Sequence, residues 1–475
     1  MRKTKLLKLF SLILILFTAL TVAVACSNDE NQSSSSNIDK PVTDSSLFNF
    51  RIFHDNTYAL TGVKDVNSLP SEVVLPSTYE GIAITVIDSG AFVGCENLVS
   101  LIIGDYVTHI NDYAFEGCRN LTSLEIPNSI IYLSRKAFTE CKLEPNIKSN
   151  LAYLGNKENP YLYLCGAISS DLVAAKIDEN CKVIGEGAFS VCGTSIEQDS
   201  SGGYITTFES MLTSVEIPNS VISIGDYAFS GCSSLTSIEI PNSVISIGYG
   251  AFADCSSLEF NEYENCKYLG NAQNQYFALI EPIDEYLSSC TIRNSTKIIC
   301  DGAFVGYYNL TSVVIGDSVT SIGETLFSGC YNLTNIEVGE NNANYKAIDG
   351  NLYSKDGSVL IQYAIGKTTT AFTIPGFVTS IGSAAFWDCQ GLTSVVIPNS
   401  VTSIGFSAFV NCNNLTSVVI PNSVTSIGSY AFGYCQMLTS IKYRGTQGEW
   451  DAISKGIYWG YDTGNYTITY NYDGE

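Results

Sequence analysis

Residues 415–437 read LTSVVIPNSVTSIGSYAFGYCQM, and residues 392–414 just before them read LTSVVIPNSVTSIGFSAFVNCNN. The two copies are identical at 17 of 23 positions, a repeat with a period of 23. The same frame restarts at Leu98, Leu121, Leu212, Leu235, Leu310 and Leu333. With the Leu as position 1, apolar residues fall at positions 1, 4, 6, 10, 13, 17, 18 and 21. In the last full copy these are Leu415, Val418, Ile420, Val424, Ile427, Ala431, Phe432 and Cys435. Val418 and Ile420 are two residues apart and share one face of a strand, so Ser417 and Val419 point to the other face. Pro421-Asn422-Ser423 is a turn signal. A second short strand runs from Val424 to Ile427, and Gly428 ends it. Ser429 to Cys435 then forms a tight helical or 3₁₀ turn whose Phe fills the centre. One such coil cannot bury enough apolar surface to fold alone. Stacked coils supply the missing contacts through parallel ladders and a shared core.

The consensus L-x-x-[VIL]-x-I-P-x-x-V-x-x-I-G-x-x-A-F-x-x-C resembles the BspA-like, treponemal-type class of leucine-rich repeats over about residues 80–441. The resemblance implies a mainly β, right-handed solenoid with 23-residue repeats and short helical or 3₁₀ turns. It also implies a surface protein that adheres to host, matrix or neighbouring-cell partners, without enzymatic activity. The pattern is irregular near 144–211, 258–304 and 341–378. Residues 153–189 and 268–304 are both 37 residues long and align without gaps, as one long coil duplicated. In the third stretch, Asp349-Gly350 and Asp356-Gly357 read as hairpin-like turns. A Ser/Gly-rich loop is expected around Ser200 to Gly203. Residues 47–79 and 442–475 are read as the two end caps, because an open coil exposes core and strand edges.

The N-terminus reads as an address. Arg2, Lys3, Lys5 and Lys8 precede an apolar run from Leu9 to Ala25, the pattern of a signal peptide over 1–25. Ala23-Val24-Ala25-Cys26 resembles the lipobox of bacterial lipoproteins, although Leu is commoner than Ala at the first of these positions. The resemblance implies lipid attachment at Cys26 and a bacterial cell-envelope location, at the outer membrane or cell surface. A soluble export signal cleaved after Ala25 and an uncleaved anchor are the alternatives. Residues 26–46 are almost devoid of apolar side chains and read as a flexible tether. Asp29 and Glu30 within them resemble the surface-export signal of Bacteroidetes lipoproteins.

Composition narrows the partners. The chain has 475 residues, with 24 Lys+Arg against 47 Asp+Glu, a net charge of −23. Basic patches for phosphate are scarce, which argues against nucleic acid as a partner. Hydrophobic residues at 45% exclude a disordered solvating chain. No cofactor is implied. There is no C-x-x-C pair for zinc, no G-x-S-x-G elbow and no phosphate loop. Ten of the 16 cysteines hold position 21: Cys95, Cys118, Cys141, Cys192, Cys232, Cys255, Cys330, Cys389, Cys412 and Cys435. They read as a ladder of small core residues. Cys165, Cys181, Cys266, Cys290 and Cys300 lie outside it, and some of them could pair in an exported chain. The two histidines, His54 and His109, read as solvated surface residues.

Function is therefore sought on a repeated surface. Position 5 points away from the core and reads Ile102, Glu125, Glu216, Glu239, Val314, Glu337, Val396, Val419 and Lys442 along the chain. The candidate binding face is Glu125, Glu216, Glu239, Glu337, Val314, Val396 and Val419, with Val396 and Val419 as an exposed apolar strip. The expected function is a lipid-anchored binding scaffold, adhesin-like, for a host or matrix protein, a glycan or a neighbouring cell surface. A surface hydrolase acting on glycans and a self-associating envelope or matrix protein are the alternatives.

Overall fold

A computed structural model describes residues 40–52, 57–190, 195–198, 204–207, 210–456 and 458–474. The signal segment, Cys26, His54, Cys192 and the Ser200 to Gly203 stretch lie outside the described residues. The chain divides into two compact units. Among the described residues, one holds 40–51, 57–147 and 152–165, and the other holds 52, 148–151 and those from 166 onward.

Each unit is a β-solenoid whose coils pair in parallel and in register. In the first unit, Glu72–Val74, Ser100–Ile102 and Ser123–Glu125 form one ladder. Ile82–Ile87, His109–Ile110 and Tyr132–Leu133 form another. In the second unit the second strands Ser380–Ile381, Ser403–Ile404 and Ser426–Ile427 repeat this pairing. In the regular coils each residue therefore meets its counterpart 23 residues away, so one consensus suffices for a whole column. All eight apolar frame positions of the last full coil are buried, from Leu415 through Cys435.

The centre of each coil is a phenylalanine stacked on the next. Ring centroids are 4.9 Å apart for Phe92 and Phe115, 4.6 Å for Phe386 and Phe409, and 4.9 Å for Phe409 and Phe432. The backbone of this buried Phe needs partners. The Phe409 N–H donates to the Ala431 carbonyl of the next coil at 2.7 Å. The Phe409 carbonyl accepts from the Cys435 thiol at 3.0 Å. The same thiol bond joins Cys118 to Phe92, Cys255 to Phe229, Cys330 to Phe304 and Cys412 to Phe386. Position 21 thus wants a small residue that is apolar enough for the core yet can donate to a carbonyl. The sequence suggested packing alone; the hydrogen bond explains the choice of Cys over Ala.

Glycine at position 14 has a geometric cause. A Cβ on Gly428 would lie 2.6 Å from the Gly405 carbonyl carbon, and one on Gly405 would lie 2.6 Å from that of Gly382. Side chains there would push the coils apart. The segment expected as a helical or 3₁₀ turn is a run of single turns. Ala431 N–H bonds Gly428, Gly433 bonds Tyr430 and Cys435 bonds Phe432. Left-handed residues at Tyr430 (φ 54°) and Tyr434 (φ 59°) prevent a continuous helix.

The duplicated long coils keep identical strand positions: Leu151–Leu154 and Cys266–Leu269, then Ala174–Lys176 and Ser289–Thr291. Hairpins mark the irregular stretches. Tyr345–Ile348 pairs antiparallel with Asn351–Ser354 across Asp349-Gly350, and the latter strand pairs with Val359–Gln362 across the Asp356-Gly357 turn. Both Asp349 and Gly350 have positive φ, the backbone of a tight hairpin turn. Near the C-terminus the ladders continue: Ser454–Lys455 pairs with Ser426–Ile427, and Thr467–Thr469 with Ser440–Tyr443. Helix Gln447–Ala452 follows a Thr446/Glu449 capping box and buries Trp450 against Tyr443, centroids 5.1 Å apart.

His109 is a correction. It is 6% exposed, not a solvated residue. Its position stacks in register between Val86 and Tyr132, whose ring lies 6.1 Å away. Its Nδ1 lies 2.7 Å from Thr108 Oγ1. Most other coils carry Ser at this position, so burial there was hidden by the small polar residue. Burial pushes the imidazole pKa down from 6.5 to about 4. The folded state then stays neutral where the unfolded chain takes up a proton. His109 therefore destabilises the fold as pH falls from about 6.5 to about 4, by up to about 3 kcal/mol. His109→Ser should show a shallower loss of melting temperature than wild type across that window. Parallel pH profiles would refute the assignment.

Candidate binding surfaces

The position 5 side chains do form in-register columns, but the column is divided. Among the described residues of the second unit, the first strands make three separate sheets. Lys176 pairs with Glu216 in the first, Val314 with Glu337 in the second, and Val396 with Val419 and Lys442 in the third. The acidic members are also partly neutralised. Glu216 lies 2.9 Å from Lys176, and in the first unit Glu125 lies 3.3 Å from Lys157. Glu337 accepts from the Asn335 side chain at 2.8 Å, while Glu239 is exposed. Such exposed pairs contribute little stability, and they dilute the negative field that the column was expected to project.

The apolar strip is corrected too. Val396 and Val314 are partly exposed, but Val419 is only 5% exposed, and Ile102 in the same column is 9% exposed. Val419 sits in register between Val396 and the longer Lys442, so its neighbours on both sides cover it. Outward direction on an isolated strand does not guarantee exposure within a stack.

A different patch stands out near the C-terminus of the second unit. Tyr430 and Tyr434 meet Tyr461 edge-on at 6.1 and 5.5 Å, and Tyr458 meets Tyr430 and Tyr461 at 5.5 and 5.4 Å. Tyr458 and Tyr461 remain 58% and 47% exposed. Beside them Gln436 Nε2 donates to Asp462 Oδ2 at 3.1 Å. Tyr430, Tyr434 and Tyr458 all have positive φ, between 54° and 59°. At the position of Tyr434 most other coils carry Gly94, Gly117, Gly231, Gly306 and Gly329, or Asp254, Asp388 and Asn411, types that tolerate this conformation, with Glu140 as an exception. A bulky ring there costs about 1–2 kcal/mol. Sequence reading missed this patch. The signal was present as Tyr at a slot that elsewhere favours Gly, Asp or Asn.

Half-buried Asp226, Asp301 and Glu324 share position 15 of their coils. Desolvation pushes Asp301 up to about 7 and holds Asp226 and Glu324 well above the carboxylate range. Asp226 Oδ1 accepts from Tyr249 N–H at 2.8 Å, and Asp301 Oδ1 from Glu324 N–H at 3.0 Å. Among the described residues no three His, Cys, Asp or Glu side chains are placed to hold a metal ion. Nor is any helix there long and apolar enough to cross a membrane.

The family model for the BspA type leucine rich repeat region matches residues 85–209, 204–285, 283–359 and 363–457. The chain belongs to the BspA-type leucine-rich repeat family. No curated protein matches it. Similar solved structures include a leucine rich cell surface protein of Faecalibacterium prausnitzii A2-165, at 26% identity over 87% of this chain and 98% of that one, TM-score 0.29. A leucine-rich repeat protein of Bacteroides ovatus ATCC 8483 shares 21% identity over 91% and 99%, TM-score 0.24. The leucine rich repeat protein of T. pallidum shares 22% over 62% and 91%, TM-score 0.22.

For this BspA-type solenoid, the two valines of the expected strip should respond differently to charge. Val396→Lys should leave the melting temperature nearly unchanged. Val419→Lys should cost about 2 kcal/mol, because it displaces a buried side chain between two occupied neighbours. Equal melting temperatures for the two variants would show that Val419 is not covered.

Proposed function

We propose that this BspA-type chain is a surface-displayed, lipid-anchored binding scaffold, adhesin-like in role. Its partner is a host or matrix protein, a glycan or a neighbouring cell surface. The observation that carries this reading is the tyrosine patch. Three tyrosines occupy left-handed backbone at a cost to stability, and the patch leaves two rings open to solvent. Strained backbone beneath exposed aromatic rings fits a binding surface. Tyrosine suits the task because it offers broad apolar faces with few rotors, and a hydroxyl that can hydrogen bond. The partly exposed Val314 and Val396 of the repeated face extend the available surface. Anchoring is assigned to Cys26 through the Ala23-Val24-Ala25-Cys26 motif. Two acyl chains suffice to hold a protein at a bilayer.

Two measurements test this. With an alkyne fatty acid, wild type should be labelled and Cys26→Ser should not; equal labelling would remove the anchor from the proposal. Full-length protein should capture partners from panels of matrix proteins and glycans, and Tyr458→Ala/Tyr461→Ala should lose at least tenfold in affinity. Tyr434→Asn should also weaken capture while its melting temperature holds or rises, because Asn tolerates positive φ. Undiminished binding by a folded double variant would move the site elsewhere.

A further inference from the structure

Cys266 and Cys290 stand apart from the thiol ladder. They lie on strands Cys266–Leu269 and Ser289–Thr291 of the second long coil. Their sulfurs are 3.0 Å apart, and the side chains are buried, 0% and 3% exposed. Ladder sulfurs donate to a phenylalanine carbonyl of the preceding coil, and neighbours such as Cys118 with Cys141 and Cys412 with Cys435 also interact side chain to side chain. Cys266 and Cys290 have each other's sulfur as partner instead of a phenylalanine carbonyl. Cys290 occupies frame position 4, where regular coils carry a larger aliphatic residue such as Leu101, Val215, Val313, Val395 or Val418. The first long coil supplies an internal comparison. It aligns without gaps, and there Leu151 stands for Cys266 and Ala175 for Cys290, both buried. Both positions differ together, from two buried apolar side chains to two thiols.

We propose that Cys266 and Cys290 form a disulfide when the chain folds in an oxidising compartment. A disulfide bond is about 2.05 Å long, so the sulfurs must close by about 1 Å, within reach of side-chain rotation. The oxidant is a small-molecule or protein disulfide. One cysteine thiolate attacks it, forming a mixed disulfide and releasing one thiol. The second thiolate then displaces the other thiol, leaving the Cys266–Cys290 bond. The two cysteines lose two electrons and two protons, and the oxidant departs as two thiols. Exchange requires an accessible thiolate. In the folded core the hydrogen bond with Cys266, together with burial, holds the Cys290 thiol far above its ordinary pKa. The step therefore belongs to folding, before the core closes. Afterwards the same burial seals whichever state was made, so the pair records the redox conditions in which the chain folded.

The test compares the full chain exported into an oxidising compartment with the same chain made in a reducing cytosol. Thiols are blocked under denaturant, and the protein is digested and mapped by mass. The exported form should yield a cross-linked peptide pair containing Cys266 and Cys290, about 2 Da lighter than the reduced pair. Ladder cysteines such as Cys412 and Cys435 should be alkylated in both preparations. The cross-link should resist dithiothreitol in the native protein and yield once it is denatured. Cys266→Leu/Cys290→Ala, which copies the first long coil, should fold and unfold at the same midpoint from either compartment. Wild type should unfold at a higher midpoint when exported. Alkylation of both cysteines in the exported protein, or a cross-link joining either one to a different cysteine, would overturn the proposal.

Discussion

Parallel, in-register pairing between consecutive coils governs everything else in this protein. A coil of 23 residues buries a phenylalanine whose backbone cannot reach water, so its N–H and carbonyl must be met by the neighbouring coil. The Ala at position 17 and the Cys at position 21 meet them, and the glycine at position 14 lets the coils approach closely enough to do so. Substituting any of the three is felt in two coils at once. That coupling explains why the frame keeps its Ala-Phe-x-x-Cys run while positions on the outer face drift among Glu, Val and Lys.

The fold was legible because its core obeys this period. All eight apolar positions of the last coil lie where the spacing places them. What escaped were properties set by a residue's neighbours one coil away. His109 looked polar and exposed, yet Val86 and Tyr132 enclose it. Val419 points outward on its own strand, yet Val396 and Lys442 flank it. Both errors come from reading one coil at a time. The tyrosine patch escaped for another reason: the cost of Tyr434 appears only once φ is known to be positive there. The thiol-to-carbonyl bonds escaped because a buried cysteine reads as a small hydrophobe, and nothing in spacing alone distinguishes a donor from a filler.

The irregular coils change how binding surfaces are distributed. Hairpins such as Tyr345–Ile348 with Asn351–Ser354 separate the first-strand sheets of the second unit. A partner reading the repeated face therefore meets short blocks of two to five in-register residues rather than one uninterrupted column. The last block is the longest, running from Thr373 through Val396, Val419 and Lys442 to Thr469. Tyr430 and Tyr434 belong to the coil of residues 415–437, which also supplies Val419 to that block.

Stacked identity has a genetic corollary. Residues 392–414 and 415–437 are nearly the same sequence, and the Gly, Ala, Phe and Cys that one uses to meet its neighbours the other has as well. A recombination or slippage event that deletes or duplicates one such unit joins equivalent ends. The Phe above still finds an Ala carbonyl and a Cys thiol below, and the strand ladders close without a gap. Changes in coil number are thus structurally silent in the interior while they alter the length of the outer face. The reach of such a protein can evolve by copying, with no new core to invent.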